Sequence, residues 1–173
     1  MDTDKSKRGE IAYQILFPDE NQSVESQHES VDQVSDVDVI YSSRILDDDS
    51  SFIKLINATR RGLPFKSLSK ALVVMPFSIQ EWADILHIST RSIDRLKKER
   101  KKLNSSQSEK LIEITLLYDY GVDVFGSSEK FSKWLNRNNI VLGGVEPKTL
   151  LDTNQGIQAV KSELSKIEYG VLA

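Results

Sequence analysis

SIQEWADILHISTRSIDRLKKERKKL, residues 78–103, is the stretch that decides the fold. Ser78 and Glu81 stand three apart, the spacing at which each side chain satisfies a free backbone N–H in the first turn of a helix. The helix they open buries Ile79, Trp82, Ala83 and Leu86 on this reading. His87-Ile88-Ser89 breaks it, and a second helix runs on to about Leu103. Two short helices cross tightly only with a small residue inside the first and apolar residues on the inner face of the second. Ala83, with Ile93 ten residues later and Leu96 three beyond that, supplies this pattern. At about 100° per residue, Leu96 and Leu103 fall within about 80° of Ile93, whereas Arg91, Arg95, Lys98 and Lys102 fall about 140–200° away from it. The spacing is that of a helix-turn-helix, with a cationic stripe left outward on its second helix. That helix begins with Ser89, Thr90, Arg91 and Ser92, short donors and a guanidinium at the end that usually meets base edges. Lys98, Lys101 and Lys102 are placed for phosphates. His87 stands where such turns normally carry glycine, at a cost of about 1 kcal/mol if its φ is positive. The competing reading is a charged helical hairpin whose outer face is merely solvated.

Charge along the chain is divided in the same sense. The whole carries −3, but residues 1–50 carry −9 and residues 60–110 carry +7. A basic middle inside an acidic chain points to a local polyanion site. The chain has no cysteine and only two histidines, which excludes disulfides, thiolate metal sites and cysteine nucleophiles and leaves little for a histidine metal site. No glycine-rich phosphate loop and no nucleophile beside a base appear, so catalysis, metal and cofactor are not expected. No apolar run approaches a bilayer span and MDTDKSKRGE is no signal region, so a cytoplasmic location is expected, with no membrane partner.

Outward from the central motif the pattern stays helical. Residues 51–61 read as a helix stopped by Gly62, and Pro64 suits the first turn of the next. Leu68, Ala71, Leu72 and Met75 form its apolar stripe. A further capping box, Ser106 with Glu109, is read as opening a longer helix through Tyr118 or beyond, with Gly126 ending the region. Helices follow at about 129–137, 147–151 and 154–168, with Ile157, Val160, Leu164 and Ile167 on one side of the last. Residues 1–48 are rich in Ser, Asp, Glu and Gln and read as a largely flexible acidic arm. Two apolar runs interrupt it, IAYQILF at 11–17 and VDVIY at 37–41, each a strand or a docking motif. The expected fold is all-α, divided as arm 1–48, helix-turn-helix domain 49–115 and a small helical domain 116–173.

The stretch from Trp134 to Ala173 resembles the toxin-binding domain of the Xre/ParS/MbcA antitoxins. The likeness rests on Trp134-Leu135, Leu142-Gly143-Gly144, Pro147 with Leu150-Leu151-Asp152-Thr153, Gly156, Val160, Leu164 and the ending Ile167-Glu168-Tyr169-Gly170-Val171. It extends back through Phe125-Gly126, Leu103-Asn104-Ser105 and Gly62-Leu63-Pro64, over about residues 50–173. The resemblance implies a DNA-binding half that represses its own operon and a C-terminal half that caps a RES-domain, NAD-consuming toxin. It implies that Glu168, Tyr169, Gly170, Val171, Leu172 and Ala173 form the blocking tail, and that the chain binds no NAD itself. Operator DNA and the RES-domain toxin are the implied partners, with a homodimer and a toxin–antitoxin hetero-oligomer expected. Taken as residues alone, Gly143-Gly144 reads as a backbone turn where a Cβ would clash, Asp152 or Thr153 as a helix cap, and Trp134 as core. Tyr169 before Gly-Val-Leu-Ala makes a short apolar tail suited either to a partner's pocket or to packing on the chain's own surface. A stand-alone regulator whose C-terminal half only dimerises remains open, as does an acidic arm that shields the basic helix or serves as a degradation handle.

Overall fold

The computed structural model describes residues 9–18 and 49–170. Its described residues form α1 (Glu10–Leu16), α2 (Asp49–Arg61), α3 (Phe65–Val74), α4 (Ile79–Ile85), α5 (Thr90–Glu99), α6 (Ser105–Phe125), α7 (Ser128–Leu135), a 3-10 turn (Pro147–Leu150) and α8 (Asn154–Glu168). The fold is all-α, as the periodicity indicates. The run 37–41, Val171, Leu172 and Ala173 lie outside the described residues.

The spine is α6, 21 residues long and buried on several sides through Leu111, Ile112, Ile114, Thr115, Leu117, Tyr118, Asp119 and Gly121. A helix apolar around most of its girth must be covered on more than one side. Here α1 and α2 lie against it, and so do α7 and α8. The helix runs unbroken across residues 115 and 116. A single hydrophobic cluster extends from Ile15 and Leu16 to Val160 and Leu164. Phe77, between α3 and α4, meets Trp82 edge-on at 5.6 Å and shares an apolar interstice with Phe131, Leu135 and Leu151. The helix-turn-helix and the C-terminal helices are therefore packed on common side chains.

The start of α6 differs from its sequence reading. The N-cap is Asn104, not Ser106: Gln107 N donates to Asn104 Oδ1 (2.8 Å), and Asn104 N donates to Gln107 Oε1 (2.9 Å). The reason lies in Ser108, which this register buries. Its hydroxyl accepts from Leu63 N (2.9 Å) and donates to Asn104 O (2.8 Å), satisfying a buried amide of the α2–α3 connection.

Within the arm expected to be flexible, residues 10–16 are a docked helix, neither strand nor free motif. It buries Ala12, Ile15 and Leu16, and burial of each large aliphatic is worth roughly 1.5–3 kcal/mol. Its ends are finished by other helices. Asp119 of α6 accepts from Gly9 N at 2.8 Å and also from the amides of Ile11 and Ala12. Lys70 and Ser67 of α3 donate to Gln14 O (3.0 Å) and Leu16 O (3.1 Å). A segment this short holds no helix alone; burial and caps supplied from other helices offset its ordering entropy.

That arrangement gives a pH dependence. Burial pushes Asp119 up, outweighing the amide of Gly9, and nearby Asp123 adds to it, so its carboxyl titrates at about 6 instead of 3.8. A raised folded-state pKa favours the protonated form, so this contribution is full below the unfolded value and is lost as pH climbs through about 6. The rise from 3.8 to about 6 is worth about 3 kcal/mol at most. Asp119→Asn is expected to remove this step: the wild-type-minus-variant stability, from urea unfolding, should fall between pH 4 and 7. A difference that is flat across that range would overturn the assignment.

Candidate functional sites

The helix-turn-helix is built from α4 and α5. The capping box of α4 is formed as read, with Glu81 N to Ser78 Oγ at 3.2 Å and Ser78 N to Glu81 Oε2 at 2.7 Å. Ala83 and Ile93 are both 1% exposed, so the small residue and its expected partner both lie in the core. His87 has φ 53, and Ile88 N to Ala83 O (2.9 Å) with His87 N to Asp84 O (3.1 Å) closes the first helix. This is a Schellman ending with histidine in the left-handed position that glycine usually fills.

On α5, Ser89 is the N-cap, accepting from Ser92 N at 3.1 Å, and its hydroxyl also pairs with Ser92 Oγ at 3.0 Å. Thr90 and Ser92 are half-buried at this end, while Arg91, Arg95 and Lys98 are exposed. Thus Ser89, Thr90, Arg91, Ser92, Arg95 and Lys98 share one helix, with its cations outward and Ile93 inward. Lys102 is not on it. The helix stops at Glu99, because Arg100 takes φ 50 and Lys101 N reaches back to Leu96 O at 3.1 Å. The chain then runs beside the α2–α3 connection, with Leu103 N to Leu63 O at 2.8 Å, and Leu103 is buried from there and not from a helix face. The expected helix to Leu103 is therefore shortened by a left-handed arginine that no sequence signal marks.

The C-terminal elements close on an aromatic group: Phe131 packs against Tyr118, Phe125 and Trp134 with ring centroids 5.6–5.9 Å apart. Trp134 is half-buried against this core. Between α7 and the 3-10 turn, residues 139–145 form a tight hairpin. Asn139 N donates to Val145 O (2.9 Å), Gly144 N to Asn139 O (2.8 Å) and Val141 N to Asn139 Oδ1 (2.9 Å). Gly143 and Gly144 have φ +89 and +77 with open space where a Cβ would stand, so backbone conformation, not a clash, requires them. The hairpin packs Leu142 against the core but turns Ile140 and Val141 outward, 92% and 54% exposed. The sequence reading missed this feature. Its signal was two branched residues, Ile140-Val141, ahead of a double glycine.

Glu168 closes α8 and accepts from Tyr120 Oη at 2.8 Å, so it is tied to α6. Tyr169 follows, 57% exposed, and Gly170 has φ +65. Thr153, not Asp152, caps α8, accepting from Gly156 N at 3.1 Å. The two halves meet through an ion pair: Lys148 of the 3-10 turn lies 2.9 Å from Glu81 of α4. Partial burial of Glu81 opposes ionisation, but the Ser78 amide and Lys148 outweigh it and hold the carboxyl below its ordinary value.

Comparison with known proteins gives two domain matches in chain order. Residues 54–115 match the antitoxin Xre-like helix-turn-helix domain, and residues 121–170 match the antitoxin Xre/MbcA/ParS C-terminal toxin-binding domain. A protein named "Antitoxin Xre", from Photorhabdus laumondii subsp. laumondii, is 31% identical over 104 residues, covering 55% of this chain and 70% of that protein. A protein named "Prs ADP-ribosylating antitoxin", from a Sphingobium species, is 24% identical over 133 residues, covering 72% of this chain and 84% of that protein.

Proposed function

Because the chain belongs to the Xre/MbcA/ParS antitoxin family, with a helix-turn-helix domain and a toxin-binding domain, we propose that it neutralises a RES-domain, NAD-consuming toxin and represses its own operon. The toxin is held by occlusion of its active site, so the antitoxin acts by binding and not by catalysis. The working units are the DNA-binding domain 49–115 and the toxin-binding domain 116–173, which share α6, with residues 1–48 joined to them through α1 docked on that helix. One observation carries the reading. The same chain holds an outward cationic helix inside the region matching the DNA-binding model and outward apolar groups inside the region matching the toxin-binding model. The name of the Sphingobium relative joins an antitoxin to ADP-ribosylation, a reaction in which NAD supplies the ADP-ribose. No described helix is long and apolar enough to cross a membrane.

On the toxin side, Tyr169 and Gly170, with Val171, Leu172 and Ala173, are the blocking tail, Glu168 is its anchor on α8, and the hairpin at Ile140 and Val141 is a second contact. On the DNA side, Ser89, Thr90, Arg91 and Ser92 meet base edges, and Arg95, Lys98 and Lys102 meet phosphates. A homodimer places two such helices on two half-sites one helical turn apart. Co-expression with the product of the adjacent reading frame tests the whole reading, with growth and cellular NAD followed together. The full chain should restore both. A neighbour that is harmless, or a toxic one that the chain leaves untouched, would overturn it.

Arg91 and Lys98 should differ in kind. Arg91→Ala is expected to cost about 1–3 kcal/mol against the preferred site and to relax its base preference. Lys98→Ala is expected to weaken all sequences alike. Titration of both variants against the duplex upstream of the reading frame and its scrambled counterpart measures this. Equal losses on the two duplexes for Arg91→Ala would remove its base-reading role.

A further inference from the structure

The fold assembles a second cationic group at the far end of the reading helix. α2 ends on Arg60 and Arg61, and α5 is followed by Arg100, Lys101 and Lys102; all five are exposed. The two segments are distant in sequence but joined in space. Leu103 N donates to Leu63 O at 2.8 Å, and Pro64 forms an antiparallel bridge with Lys102. Gly62 lies so close that a Cβ there would meet the Leu103 carbonyl and stand 3.5 Å from Lys102 Cβ. Among the described residues, only Lys101 of the five has an acidic partner, Glu99 at 2.6 Å. Five cations thus lie within three residues of one backbone junction fixed by these bonds, and like charges carried so near one junction favour a polyanion there.

The dimensions say which polyanion and which part of it. α5 has ten residues and so is about 15 Å long, while the major groove is about 12 Å wide. A helix that sets Arg91 in the groove carries its other end to the phosphate rim. We propose that Arg60 and Arg61 join Arg100, Lys101 and Lys102 in a clamp on the phosphate backbone of duplex DNA, outside the helix-turn-helix itself. This clamp rests on the DNA-binding reading above; it lies inside the residues 54–115 that match the helix-turn-helix domain but outside the α4–α5 pair, and it gives the end of α2 a role that helix spacing does not.

The test uses the full chain and a random-sequence duplex of about 30 base pairs, with affinity read by fluorescence anisotropy over a salt series. Each cation withdrawn from a phosphate flattens the slope of log K against log salt by about 0.9. The double variant Arg60→Gln/Arg61→Gln should therefore flatten it by about 1.8 and weaken binding roughly ten- to a hundredfold near 0.1 M salt. Arg60→Lys/Arg61→Lys keeps the charge and should restore the slope, which a purely structural role of the arginines would not allow. Lys130→Gln/Lys133→Gln, on exposed cations of α7, should leave it unchanged. An unaltered slope in the arginine-to-glutamine variant would overturn the clamp while leaving DNA binding intact. Absence of any wild-type binding even at low salt would instead remove the DNA reading on which it stands.

Discussion

A chain ending at Glu168 is expected to fold normally and to leave its toxin active. The fold tolerates the cut because α8 is seated in the core through Ile157, Val160 and Leu164, each 0% exposed, and Glu168 is held by Tyr120. What the cut removes is Tyr169, 57% exposed, and the residues beyond it. The melting temperature should therefore move little, while growth rescue in co-expression disappears. A buried aromatic anchor at an interface is commonly worth 2 kcal/mol or more, which is about thirtyfold or more in Kd. The hairpin gives an independent control. Ile140→Asp/Val141→Asp places two charges on side chains that are 92% and 54% exposed, so it too should spare the fold and weaken the toxin complex. Rescue retained by the truncated chain but abolished in the hairpin variant would move the capping surface from the tail to residues 139–145. Rescue retained by both would place it elsewhere.

How far the sequence could be read depends on how local each determinant is. The α4–α5 pair was legible because its parts lie close along the chain: a capping box at i, i+3, Ala83 and Ile93 ten apart, and cations opposite the apolar stripe. The ends of helices set by distant groups were not. Ser106 and Glu109 form a sound box by spacing, and only the burial of Ser108 under Leu63 selects Asn104 instead. Arg100 in a left-handed position follows from pairing between the chain after α5 and residues 63–64, which no neighbour of Arg100 announces. α1 is the strongest case. Its seven residues carry apolar groups compatible with a strand, and its helical state rests on acceptors and donors from Asp119, Ser67 and Lys70, all remote in sequence. The adjacency of Arg60–Arg61 to Lys101–Lys102 was hidden for the same reason. The candidate toxin tail was legible through family likeness, whereas the hairpin needed the exposure of Ile140 to be seen.

Gly156→Ala carries the largest expected effect on stability, and two physical arguments predict opposite signs for it. Gly156 sits in the first turn of α8, and by helix propensity alone alanine there should stabilise by about 1 kcal/mol. The packing says otherwise. A Cβ at this position would run into the backbone carbonyl of Leu150 and stand 2.9 Å from Leu150 Cβ. A carbonyl in a hydrogen-bonded 3-10 turn cannot swing aside as a side-chain tip can, so the first turn of α8 must move as a whole. That displacement pulls Gly156 N from its 3.1 Å bond with Thr153 Oγ1 and loosens Ile157 and Val160 in the core. Overpacking of this kind costs roughly 3 kcal/mol, enough to outweigh propensity and lower the melting temperature by about 5–10 °C. Thermal unfolding of the variant decides the sign, and a rise in melting temperature would show that the helix and the turn are not closely packed. Because α8 also carries the tail, this variant should lose toxin rescue together with stability, whereas the chain ending at Glu168 should lose rescue alone. The pair of results separates a tail that must be held in place from one that must be present.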